Sequence, residues 1–222
     1  MPRYEQHKDP AAFAKTVDTE LRMGQRLALG LDMGTNTGFA YTFYDPDQPI
    51  HWPMQPVYLG QWDLSAGPYD TGALRFVRFR HFLNILKPDI IFAEDVKYTP
   101  AEAVNYFNAA AILARAATSM EFFGAMKGTL AAWCEARQVP LGLIPIGTIK
   151  RRATGKGNAN KEQVIAAAND LLGLGLVPED YKTTGVDNVA DSVFCLICGL
   201  DDYGDGVDPV PKARKRQKPK NA

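Results

Sequence analysis

The segment LALGLDMGTNTGFAYTFYD, residues 27–45, constrains the fold more than any other part of the chain. Leu27, Leu29 and Leu31 alternate with Ala28, Gly30 and Asp32, and a period of two is what a strand with two different faces produces. The strand is expected to end at Met33-Gly34. After a glycine-threonine turn, Gly38 to Tyr44 is rich in aromatic residues and threonine and reads as a second strand. The proline-laden stretch DPDQPIHWPMQP then leads to a third, Val57 to Leu64. Together they predict an antiparallel meander, with Asp32 delivered to the mouth of its first turn.

Downstream the period changes. From Thr71 to Leu86 the residues Leu74, Val77, Phe82 and Ile85 recur at helical spacing, with Arg75, Arg78 and Arg80 between them, and Lys87-Pro88 ends the helix. DIIFAEDV, residues 89–96, reads as a buried strand. Thr99-Pro100-Ala101-Glu102 is a helix-start signal, and one or two helices are expected over 100–137. VPLGLIPI (139–146) predicts a short strand, RRATGKGNA (151–159) a glycine-basic loop, and Asn160 with Gln163 the cap of a helix running to Leu172. A last helix is expected from about Asn188 to Leu200. The order predicts an α/β fold, a mixed five-stranded sheet in which a three-strand meander is followed by parallel strands with helical crossovers.

Length and charge narrow the class. A chain of 222 residues, 46% hydrophobic and 23% charged, is an ordinary globular composition for one domain. No apolar run approaches the ~20 residues of a membrane helix. The first 26 residues, with Arg3, Lys8, Asp9, Lys15, Asp18 and Glu20 among them, show no signal-peptide core, and three cysteines fit a reducing compartment, so a soluble, cytoplasmic protein is expected. We divide the chain into an N-terminal extension (1–26), one main domain (27–205) and a flexible basic tail (206–222). Lys212, Arg214, Lys215, Arg216, Lys218 and Lys220 give the tail six positive charges; the other 19 basic residues face 25 acids, so residues 1–211 carry about −6. A basic tail beside an acidic body points to a polyanionic partner, or to a solvated terminus.

Four places can carry chemistry. Asp32, at a strand end beside small residues, suits a metal or phosphate site, or is a turn-forming aspartate. Glu94 and Asp95 close an apolar strand, and because neighbours on a strand face opposite sides, only one of them can share a face with a given cleft. In VDNVADS (186–192), Asp187 can cap a helix, and Asp187, Asn188 and Asp191 lie near one helical face, Asp191 bordering an apolar one. In ATGKGNANKEQV, Lys156 and Lys161 flank a glycine loop at a helix start, without the spacing of a P-loop. Three carboxylates converging at the ends of central strands would bind two hard divalent cations, the arrangement that hydrolyses phosphodiesters. The pair in CLIC (195–198) reads as two small buried residues, and His7, His51 and His81 have no assigned role.

Taken together, LGLDMGTNTGFAY, KPDIIFAEDV, TGKGNANKEQV and DNVADS resemble, in order, the motifs of the RuvC-type Holliday junction resolvases, members of the ribonuclease H-like nuclease superfamily. The resemblance spans about residues 27–200 and implies a ribonuclease H-like fold, with Asp32, Glu94 and Asp191 as catalytic metal ligands for Mg2+, two ions per site, Mn2+ being able to substitute. The family usually has an acid or histidine three residues before the last aspartate, where this chain has Asn188; the fourth metal ligand is then either Asn188 or, from one position earlier, Asp187. Lys156 and Lys161 are implied to steer or stabilise the scissile phosphate, and both, with Arg151, Arg152, Lys97 and Tyr98, to contact DNA, Tyr98 being offset from the family's wedge position. Also implied are a homodimer on a four-way DNA junction, paired cuts leaving 5′-phosphate and 3′-hydroxyl ends, and a viral or divergent member working in the cytoplasm of a bacterial or phage-infected cell. Two other readings stand beside it: a nuclease-like protein that binds branched DNA without cutting, and a single-lobed actin-like ATP-binding protein, which LDMGTNTG also resembles.

Overall fold

A computed structural model describes residues 5–17, 24–52, 54–68, 70, 72–96, 109–178 and 181–202. The three expected meander strands are β2 (Arg26–Asp32), β3 (Asn36–Tyr44) and β4 (Tyr58–Asp63), paired antiparallel in that order. The later strands, β5 (Ile90–Glu94) and β6 (Leu141–Ile144), join in parallel, β5 beside β2 and β6 beside β5. A sixth strand, β1 (Glu5–His7), comes from the N-terminal extension and pairs in parallel with β4. The sheet order is therefore β1-β4-β3-β2-β5-β6, a mixed α/β sheet with helices on both faces.

Alternation along β2 decides which helix meets which face. Leu27, Leu29 and Leu31 point to one side, where they are buried with Phe13, Trp62, Phe79, Phe82, Leu130 and Trp133. That layer is built by α1 (Pro10–Ala14), α2 (Leu74–Leu86) and α3, which runs to Arg137 and is described from Ala109. Phe13 of α1 is 1% exposed and sits edge-on to Phe39, Trp62 and Phe82, so the extension contributes to the core. Ala28 and Gly30 face the other side, as do Ile90 and Phe92 of β5. There they meet α4 (Ile146–Thr154), α5 (Lys161–Leu172) and α7 (Val186–Asp202), the last preceded by the single turn α6 (Tyr181–Thr184).

Two expectations change. The glycine-basic loop is shorter than its composition suggests: Ile146–Thr154 is helical, started at Pro145 and ended by Gly155 in the left-handed region at φ 75°. The last helix begins at Val186, two residues early, which puts Asp187 in its first turn and Asp191 beyond it. Cys195 and Cys198 are buried on α7, as expected of small core residues. Among the described residues no helix is long and apolar enough to cross a membrane. The helix-start signal at Thr99, together with Lys97 and Tyr98, and the basic tail lie outside the described residues.

Candidate metal centre

Asp32 is the last residue of β2 and, by alternation, shares its face with Ala28 and Gly30. Glu94 is the last residue of β5 and shares its face with Ile90 and Phe92. The parallel register pairs Leu31 with Ala93, so Asp32 and Glu94 are the next positions along two adjacent central strands. Asp95 points the other way and is bound by Lys127 of α3, whose Nζ donates to Asp95 Oδ1 at 2.7 Å and to the Val96 carbonyl at 2.8 Å. Strand alternation thus gives Glu94 to the cleft and Asp95 to the opposite layer.

The third carboxylate comes from α7, which crosses the sheet on glycines. A Cβ at Gly30 would overlap the Ser192 carbonyl, and one at Gly38 would overlap the Asn188 carbonyl. Only a bare backbone lets the helix lie this close. At that depth Asp191 meets the two strand ends: one carboxylate oxygen each from Asp32, Glu94 and Asp191 lie within 4.8 Å of one another.

Such crowding has an electrostatic signature. Burial, reinforced by the charges of Glu94 and Asp187, pushes Asp191 up to about 7, with Lys161 and Lys150 pulling the other way. Asp32 is held well above the usual carboxylate range by burial and then by Glu94, Asp191 and Asp187, with Lys161 opposing. Burial also raises Glu94, against a hydrogen bond from Asp32 and the charges of Lys150 and Lys161. Oδ1 of Asp191 is buried with no hydrogen-bond partner among the described residues. Three inward carboxylates, one with an orphaned oxygen, are costly without a cation and suit a hard divalent ion.

Neither a family model nor a curated protein matches the sequence. Solved structures do match the fold. The chain superposes on Thermus thermophilus RuvC with a TM-score of 0.53 at 15% identity, covering 80% of this chain and 97% of that one. The fold is that of RuvC. Two further matches are T. thermophilus RuvC in complex with a Holliday junction substrate (TM-score 0.48, 17% identity, 78% of this chain and 91% of that) and the yeast mitochondrial Holliday junction resolvase Ydc2 (0.43, 15%, 76% and 75%).

Within this RuvC fold the remaining candidates separate. Lys161 opens α5, where Asn160 and Gln163 form the expected capping box. Its ammonium binds Asp187 Oδ2 and lies 5.4 Å above the Tyr181 ring centroid. Burial lowers its proton affinity, but Asp187, Asp191 and Asp32 outweigh that and raise it. Asn188 donates Nδ2 to the Asn36 carbonyl at 2.6 Å, which ties α7 to the start of β3. Gln61 of β4 adds a second tie, donating to the Gly185 carbonyl just ahead of the helix.

The basic residues of α4 divide. Arg152 pairs with Asp201, which also accepts from Trp52 Nε1 at 3.1 Å, so Asp201 fastens both α4 and the proline-rich loop to α7. Arg151 and Lys156 are exposed at the end of α4 and in the loop beyond it. The cation of this stretch that acts on the acids is Lys150, which opposes the upward shift of both Glu94 and Asp191. Sequence reasoning missed it by starting the basic loop at Arg151. The available signal was Pro145, a helix start that places Ile149 in the core.

Proposed function

We propose that this protein is a structure-selective endodeoxyribonuclease that acts on branched DNA, four-way junctions above all, by hydrolysing phosphodiesters with Mg2+. The observation that carries the reading is the buried, partnerless Oδ1 of Asp191 placed beside Asp32 and Glu94. Acids kept together against their own repulsion, two at the ends of central strands and one on the helix packed over them, support a metal centre. Asp32, Glu94 and Asp191 would hold Mg2+, two ions per site with Mn2+ able to substitute. When bound, the metal supplies Lewis acidity that eases deprotonation of water and offsets charge on the phosphate.

The chain's own groups supply the rest. Lys161 keeps about half its side chain exposed, so its ammonium can donate to a phosphate oxygen without leaving the acids. Lys150 adds a second positive charge on the same side of the sheet. Arg151 and Lys156, both exposed, suit backbone phosphates further along the DNA. Cutting two strands of a junction in a paired way calls for two such centres, hence a homodimer, with 5′-phosphate and 3′-hydroxyl products.

The test is cleavage of a labelled synthetic four-way junction with and without Mg2+, comparing the wild type with Asp32→Asn. Paired, metal-dependent nicks that vanish in the variant are expected. Tight junction binding with no cutting in Mg2+ or Mn2+ would replace this reading with that of a non-cleaving junction binder.

A further inference from the structure

The fourth position of the acidic centre has two claimants, Asp187 and Asn188, and each has one side-chain atom bound by another residue. Asn188 uses its amide nitrogen on the Asn36 carbonyl at 2.6 Å. Asp187 is the more telling case. Its side chain is 6% exposed, and its Oδ2 is bound by the Lys161 ammonium. The clustered oxygens within 4.8 Å of one another belong to Asp32, Glu94 and Asp191, and Asp187 is not among them.

We propose that Asp187, with Tyr181, is a positioning residue for Lys161 and not a fourth metal ligand. The inference rests on the metal-centre reading above. A lysine has four rotatable bonds, and its tip is poorly defined unless something holds it. Here both ends are held. The base of Lys161 is fixed as the first residue of α5 by the Asn160–Gln163 capping box. The tip is fixed from one side by the Asp187 carboxylate and from another by the Tyr181 ring face. These two residues come from the turn and helix start immediately before Asp191, so the segment that delivers the third ligand also sets the lysine. An ammonium has three donors; Asp187 takes one, which leaves donors for a phosphate oxygen.

A ligand and a holder behave differently once the lysine is gone. We would titrate Mn2+ calorimetrically, without DNA, into the wild type, Asp191→Asn, Lys161→Ala and the double variant Lys161→Ala/Asp187→Asn. Deleting the ion pair as a unit keeps the local charge balance, so the double variant should bind Mn2+ within about threefold of wild type, while Asp191→Asn loses at least about thirtyfold. A double variant weakened tenfold or more, like Asp191→Asn, would overturn the proposal by showing Asp187 to be a ligand.

The second readout is single-turnover junction cutting at saturating Mn2+. Asp187→Asn should slow it about tenfold in the wild-type background and not at all in the Lys161→Ala background. Equal slowing in both backgrounds would remove the holding role. Metal binding that follows the expected pattern in a protein that cuts no junction would sink the nuclease reading and leave Asp187 excluded as a ligand. A wild type that binds no Mn2+ would overturn both.

Discussion

Asp32 and Asp191 meet from two different layers, the first at the end of a central strand and the second on a helix packed against that strand, with carboxylate oxygens within 4.8 Å. In the absence of a cation this contact is a liability, because burial and mutual repulsion both act against the ionised pair. Asp191→Asn should therefore raise the melting temperature of the metal-free protein, by roughly 2–4 °C, while reducing Mg2+-dependent cutting at least 100-fold. Thermal melts in chelator, run beside the junction assay, check both halves.

The pH dependence follows from the same group. Asp191 is held at about 7, against an ordinary value of 3.8. Between those limits the folded, metal-free chain keeps a proton that the unfolded chain has lost, so stability falls as pH rises through that window. Asp32 and Glu94, both raised, act in the same direction. Without metal, the melting temperature should drop by about 5 °C or more between about pH 5 and pH 8. Added Mg2+ should restore more at pH 8 than at pH 5, since at the lower pH it competes with bound protons.

Glu94 and Asp95 are neighbours with separate duties. Glu94→Gln should abolish Mn2+ binding. Asp95→Asn breaks the partly buried pair with Lys127, so it should cost roughly 1 kcal/mol of stability and leave the Mn2+ affinity within about threefold. Parallel calorimetric titrations distinguish the two.

The glycines beneath α7 set the depth of the centre. Gly38→Ala would force Asn188 and the helix start away from the sheet, at a cost of about 3 kcal/mol or more, and metal affinity should fall with it although no ligand is altered. Gly175→Ala has open space around its Cβ and serves as the control, with stability changed by less than about 0.5 kcal/mol. Denaturant melts measure both variants.

Much of this arrangement can be read from the residues because β-strands write their faces into sequence. The two-residue period at Leu27, Leu29 and Leu31 places Asp32 on the face opposite the leucines, and the meander and parallel strands follow in the order that the apolar runs suggest. What the sequence hides is long-range. The choice between Glu94 and Asp95 depends on register against β2 and on Lys127 in a distant helix. The bond from Asn188 to Asn36 spans 152 positions and has no local signal. Lys150 is hard to see because Thr154-Gly155-Lys156-Gly157 has a loop's composition, which masks the helix that Pro145 begins. The three-residue strand β1 is too short to carry a period at all.

The placement of Asp191 on α7 also bears on when the protein can acquire its centre. Asp32 and Glu94 are synthesised early and can pair as the meander and β5 assemble, but the helix that completes the group is the last described element of the chain. A nascent polypeptide on the ribosome therefore carries two of the three acids from Glu94 onward and gains the third only when α7 emerges and seats against Gly30 and Gly38. Cation capture is deferred until the sheet is already built.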